Sequence, residues 1–308
     1  MVEQVVNKEA EEEVLAKLDA FAELPDAPPK RKFRLTWVGY ISVGVVVFWL
    51  AICVIGPSIA PFHEMDMDGD DSFLPAGQGE YGYFYLGTDY LSRDTLSRIL
   101  FGARNTIGIS LAATLLAYLM GITLGILAAV KGGWIDMGIS RVNDAILALP
   151  TIMLGLIVIA ALGSSIPILI GTAAVIYATS VFRIARALGQ DIMVQDYVEA
   201  AATRGEGIWW IIRAEVLPNA AMPLATDFGL RLVFVVLFIS SLSFLGLGVQ
   251  PPASDWGSMV RENLQGLTYG SYAAIWPAVA IASFTIAINL IVDDISAKSG
   301  GSLAKKMV

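Results

Sequence analysis

Asp227 and Arg231 stand four residues apart, acid first, inside one of the long apolar stretches of this 308-residue chain. That spacing puts both side chains on one helical face, where they form a favourable ion pair. A charge at mid-bilayer costs about 2.5 to 3.5 kcal/mol, so the pair is expected to face protein or water. Two readings follow: it lines the inner end of a path through the membrane, or it is a structural pair near the cytoplasmic interface. Arg141 with Asp144, and Asp293 with Asp294, fall at helix ends and read as interfacial groups. Cys53 is the single cysteine and His63 the single histidine, so no intrachain disulfide, thiolate metal site or His cluster can form. His63 reads as a solvent-facing loop residue. No Gly-x-x-x-x-Gly-Lys-Ser/Thr loop occurs, so this chain does not cradle nucleotide phosphates in that manner. No nucleophile-base constellation supports an enzyme.

The elements that must position these residues follow from composition. With 56% hydrophobic and 16% charged residues, the chain reads as an all-α integral membrane protein. About twenty apolar residues cross a hydrocarbon core. The runs 37–60, 105–130, 232–249 and 271–292 each supply one span, the third of these starting nearer Met222. The run 145–182 is too long for one and breaks at Gly163-Ser164-Ser165-Ile166-Pro167, which makes six. Lys30, Arg31, Lys32, Arg34, Lys131, Arg141, Arg183, Arg186, Arg204, Arg213, Lys298, Lys305 and Lys306 fall on one side of this topology, against Arg93, Arg98, Arg104 and Arg261 on the other. The positive-inside rule therefore puts both termini in the cytoplasm. The first apolar run reads as a retained anchor, not a cleaved signal. The net charge of −8 gathers in the head, where a short helix around Ala10–Phe21 is the only expected element, and in the loop Glu64–Asp71. Both read as solvated segments, and nothing implies a nucleic-acid partner.

Between two apolar stretches lies Tyr197-Val-Glu199-Ala200-Ala201-Ala202-Thr-Arg-Gly205, followed by Leu217-Pro218-Asn219. Glu199 to Ala202 favour helix, and Gly205 and Gly207 favour a turn after it. Ile208, Ile211, Ile212 and Val216 then make one apolar stripe of a second short helix. Trp209 and Trp210 suit a membrane-water interface. Pro218 falls where the next stretch starts and a missing N–H matters little. The segment is a helix-turn-helix elbow on the cytoplasmic side.

This spacing resembles the coupling loop of ABC importer permeases, with Glu215 in place of the usual apolar residue or His. A second segment, Leu86-Gly87-Thr88-Asp89 with Arg93, Asp94 and Leu96-Ser97-Arg98, resembles the stretch before the second helix in the second permease of dipeptide and oligopeptide importers; Ser92 replaces the usual Gly. On physical grounds the same residues read as a cap, Asp89 or Ser92 accepting from free amides and Asp94 complementing the helix dipole, with Arg93, Arg98 and Arg104 near the outer headgroups. A third match runs Phe244-Leu-Gly246-Leu-Gly248-Val-Gln250-Pro251-Pro252, then Asp255-Trp256-Gly257. Its glycines permit close helix approach and its Pro pair ends the helix.

The ordered set implies a type I ABC importer permease fold: an acidic cytoplasmic tail over 1–35, a first span and extracytoplasmic loop over 36–100, a five-helix core over 101–296 with the elbow at 190–218, and a cytoplasmic tail over 297–308. It implies an inner-membrane subunit that forms half of a path for di- or oligopeptides beside a related permease in a heterodimer, among membrane lipid. Two cytoplasmic ATPases would hold ATP and Mg, with no cofactor or metal on this chain. Glu199, Ala200, Ala201, Gly205, Leu217 and Pro218 would seat those ATPases. Leu86, Gly87, Thr88, Asp89, Arg93, Asp94, Gln250, Pro251 and Trp256 would face an extracytoplasmic binding protein. The resemblance leaves open peptide, nickel, opine or sugar as substrate, and a homodimer as the assembly. The alternative class is a freestanding channel or secondary carrier using Asp227 and Arg231.

Overall fold

A computed structural model describes residues 35–67, 72–79 and 82–304, with side chains described to 297. The chain divides into Met1–Leu35, of which only Leu35 is described, and Thr36–Val308, which holds the whole described fold. The expected head helix, the cluster Lys30–Arg34, the end of the acidic loop and Lys305–Lys306 lie outside the described residues.

Helix α1, Trp37–Ile59, opens on Thr36, whose hydroxyl accepts the Gly39 N–H at 3.1 Å. A short hairpin pairs β1, Gly77–Gln78, with β2, Tyr83–Phe84. Helix α2, Thr95–Lys131, runs 37 residues, about 55 Å at the α-helical rise. It starts ten residues before the apolar run at 105, because Asp94 caps its amides and Arg98 in its first turn finds partners within the protein.

Helices α3, Gly133–Leu147, and α4, Thr151–Leu162, correct the expected third span. They make a spanning element only as a pair, and the pair is bent by 89°. Pro150 brings no N–H and drives Leu149 away from helical backbone, so α3 stops at this point. Helix α5, Ile166–Met193, follows the expected break at Gly163. Helices α6, Asp196–Thr203, and α7, Ile208–Ile211, lead through a π turn, Ile212–Val216, into α8, Leu217–Phe244. Helix α9, Trp256–Glu262, and a 3₁₀ turn, Leu264–Tyr269, precede α10, Ile275–Ala304. Among the described residues five helical runs are thus long enough and apolar enough to cross a membrane, and the bent pair makes six where its two helices count as one span.

The run that includes α8 is longer than expected at its start and shorter at its end. It is continuous from Ile208 and stops at Phe244, well before the Pro pair. Gly246, at φ +88°, ends it: its N–H reaches the Ser243 carbonyl and the Leu247 N–H reaches Leu242, closing the last turn.

Helix α5 lies along α2, and small residues set their separation. A Cβ on Gly125 would sit 2.7 Å from the Phe182 carbonyl oxygen, and one on Gly121 2.6 Å from the Val181 Cβ. The backbones approach this closely only because both positions lack a side chain. One apolar core gathers near the Thr95 end of α2 around Trp256, Phe284, Ile107 and Val236. Another gathers near its Lys131 end around Ile126, Ala185, Val198, Ile211 and Val216.

Candidate functional site

At the Lys131 end of α2 the elbow is built by local chemistry. Asp196 and Glu199 stand in the first turn of α6, where negative charge complements the helix dipole. Val198 turns inward to the core it shares with Ile126 and Ala185, and Ala201 is buried. Gly205 then takes φ +88°, its N–H bonding the Ala202 carbonyl while the Glu206 N–H bonds Ala201. This closure satisfies the last carbonyls of α6 and reverses the chain. Ile211 and Val216 pack under the turn, as the apolar stripe predicts, whereas Ile208 stays exposed.

The second arm is not a separate short helix. It continues into α8, and Pro218 lies within that run. Pro218 has no N–H for the Ala214 carbonyl, and its ring would crowd that oxygen in a regular helix. The π turn relieves this, the Leu217 N–H reaching back to the Ile212 carbonyl instead. Of the residues expected to seat a partner, Glu199, Ala200, Gly205, Leu217 and Pro218 are exposed and Ala201 is buried. Ala201 therefore positions the surface and does not form it. Trp209, 81% exposed, with Val194, Tyr197 and Ile208 adds an apolar rim.

At the Thr95 end lies a buried charge cluster. The Asp89 carboxylate accepts the Leu91 and Arg93 N–H groups at 2.8 and 2.9 Å, and pairs with Arg93 Nη2 at 2.7 Å and Arg98 Nη1 at 2.5 Å. Glu262 on α9 closes the set, 3.2 Å from Arg98 Nη2 and 3.5 Å from Arg93 Nη2. Arg98 Nε donates to Ser254 Oγ at 3.1 Å. Trp256 is fully buried, its indole N–H on the Ile99 carbonyl and its backbone N–H on Thr106 Oγ1, both at 3.1 Å. Asp94 caps α2 through the Ser97 N–H at 2.7 Å, and Thr88 Oγ1 accepts the Leu74 N–H at 2.8 Å.

This geometry corrects the headgroup expectation for two of the three arginines. Arg93 and Arg98 do not reach for headgroups; they are buried and ion-paired, and only Arg104 stays exposed. Gly87, Thr88, Asp89, Arg93, Asp94 and Trp256 are buried in the chain as well. They clamp the 86–98 segment to α9 and the 246–257 loop. Leu86 is half-buried, and Gln250 and Pro251 remain exposed, Gln250 closing its own loop through the Gly248 carbonyl at 2.9 Å. Exposed rings at this end were not foreseen: Tyr83, Tyr85, Tyr269 and Tyr272. Tyr269-Gly270 and the Gly-rich stretch before Tyr83 were the available signals. Burial pushes the Asp94 and Asp255 carboxyls above their ordinary range, against hydrogen bonds that favour the charged forms.

Asp227 and Arg231 do pair, at 2.8 Å. Arg231 is near the midpoint of Leu217–Phe244. Tyr118 on α2 donates its hydroxyl to the other Asp227 oxygen, a partner that sequence reasoning missed. Also missed was the pairing of Asp136 on α3 with Arg186 on α5, where the Arg186 Nη2 bond is 2.6 Å. It stands in a groove of about 720 Å³ with Arg141, Asp144 and Arg183. His63 is exposed as expected, its ring 5.5 Å from Phe101.

Comparison with known proteins fits this arrangement. The family described as binding-protein-dependent transport system inner membrane component matches residues 121–297. The chain is 32% identical over 269 residues to the glutathione transport system permease protein GsiD of Pectobacterium atrosepticum, covering 85% of this chain and 86% of that one. It is 32% identical over 257 residues to the di/tripeptide transport system permease protein DppC of Pseudomonas aeruginosa, covering 82% and 85%. Among solved structures, the inward-facing MetNI methionine ABC transporter aligns at TM-score 0.54 and 17% identity, over 65% of this chain and 95% of its own, a likeness of fold alone.

Proposed function

We propose that this chain, which belongs to the inner membrane components of binding-protein-dependent transport systems, passes small peptides inward and is driven through its elbow. As a member of that family it is a multi-pass inner-membrane permease subunit of an ABC importer and not an enzyme, ATP being hydrolysed on a separate subunit. The peptide assignment leans on relatives named for glutathione and for di/tripeptides.

In this reading both termini and the elbow are cytoplasmic, and two ATPases carrying ATP and Mg hold the elbow. A related permease forms the other half of the path, and an extracytoplasmic binding protein delivers substrate beside Gln250 and Pro251. The observation that carries it is the exposed elbow at one end of α2, with the clamped loops at the other end, about 55 Å away by helix length. Closing the ATPases would push Glu199, Ala200 and Gly205, and differential contacts in two states would rock the helices as rigid bodies.

The test is copurification with a Walker-motif ATPase. Disrupting Gly205 is expected to abolish it while membrane insertion persists; an intact complex after deletion of Thr203–Trp210 defeats the reading.

A further inference from the structure

Midway along α8, polar groups from two helices meet among aromatic rings. One Asp227 oxygen accepts Arg231 Nη2 and the other accepts the Tyr118 hydroxyl. Arg231 is not used up by this pair. Its Nε is buried without an acceptor, and its guanidinium lies 5.8 Å from the centroid of Phe234. Phe228 meets Tyr118 edge-on at 5.0 Å, and Tyr177 on α5 donates to the Phe234 carbonyl at 3.1 Å. Phe234 is 51% exposed and Leu237 beside it is exposed too, so this side of α8 is left uncovered by the chain itself.

Stability does not require such a pair. Buried ion pairs are commonly replaced by apolar residues without loss, whereas ionisable groups at membrane depth mark water-filled or substrate-bearing places. The pair sums to zero charge. It can therefore exchange partners with a molecule that carries one ammonium and one carboxylate, leaving no charge unmatched: the ammonium takes Asp227, and the carboxylate takes the guanidinium fork of Arg231. Tyr118 keeps the Asp227 carboxylate oriented during the exchange. The exposed Phe234 ring stands beside the pair as a cation-π partner for the incoming ammonium.

We infer that Asp227 and Arg231 form a mid-membrane relay for the two charged termini of a zwitterionic substrate, with Tyr118 as a positioning residue. The inference rests on the import of small peptides proposed above. A peptide blocked at either end would leave one member of the pair unmatched.

The test uses the whole complex, with its ATPases and binding protein, in proteoliposomes given a labelled dipeptide with free termini. The double variant Asp227→Asn with Arg231→Gln removes both charges together and leaves no lone buried ion. Uptake is expected to fall about tenfold or more, while ATP hydrolysis stimulated by loaded binding protein stays within about twofold of the original. Arg231→Lys, which keeps the charge and loses the fork, is expected to fall between the two. Undiminished uptake in the double variant overturns the inference. So does a parallel loss of uptake and ATP hydrolysis, the mark of a purely structural pair. A native complex that hydrolyses ATP and takes up no dipeptide defeats the peptide reading, and the relay with it.

Discussion

At the Thr95 end of α2, Asp89, Arg93, Arg98 and Glu262 are withdrawn from solvent and spent on one another, whereas at the Lys131 end Glu199, Arg204 and Arg213 stand exposed on the elbow. The two ends also differ in how far apart in sequence their partners lie. Arg98 meets Glu262 across 164 residues, while the elbow closes through the Gly205 and Glu206 N–H groups, which donate to carbonyls three and five residues earlier, at Ala202 and Ala201. A cluster tied by distant charges is rigid as a unit and fails as a unit. A turn tied by neighbouring amides keeps its shape on its own and leaves its outer surface free for a partner.

Breaking the rigid end should produce the largest effect. Arg98→Met leaves Asp89 and Glu262 short of a counter-ion, and is expected to cost about 3 to 5 kcal/mol, read as lost folded yield and a lowered Tm of the purified chain. Next comes the helix contact that joins the two ends. Gly125→Leu forces a side chain against the Phe182 carbonyl and the Ala185 Cβ, with an expected cost of about 1 to 3 kcal/mol by the same measurement. At the elbow, Gly205→Ala has open space for its methyl but the wrong backbone region, costing about 1 to 2 kcal/mol locally. There the Tm should move little while ATPase capture is lost, and an equal drop in both would erase the contrast between the two ends.

The smallest effect concerns acidity. The Asp255 carboxyl is raised in the folded chain above its ordinary 3.8 by burial, so its contribution to stability is full below that value and is lost as pH rises through the folded pKa. Asp255→Asn keeps a capping oxygen and removes the titration. The Tm of the native chain minus that of this variant should therefore decline as pH is raised through the folded pKa, and a flat difference counts against the burial argument.

The elbow was legible because its signals are local: helix formers, then a glycine, then an apolar stripe at helical spacing. The same holds for the break at Gly163 and for the number of apolar runs. The bend between α3 and α4 was passed over because apolar character continues through Leu149-Pro150-Thr151, and hydropathy alone does not register a change of direction. Gly121 and Gly125 at four-residue spacing were a readable sign of close packing, though not of which helix would fill the gap. Arg98 and Trp256 could be placed only by the fold. A guanidinium near a membrane reads as headgroup-facing until a carboxylate 164 residues away is brought beside it, and the 50-residue separation of Asp136 and Arg186 hid that pair in the same way.

The π turn at Ile212–Val216 carries one residue more per turn than a regular helix, and that surplus sets angular phase as well as relieving Pro218. Each residue of an α-helix advances the azimuth by about 100°. Were the same residues wound as a regular α-helix, with none removed, everything before them, Trp209 and the Gly205 corner included, would swing around the axis of α8 by roughly that angle. The elbow is thus aimed by the one wide turn that takes up a surplus residue, and the chain could keep every side chain of its elbow yet point them elsewhere.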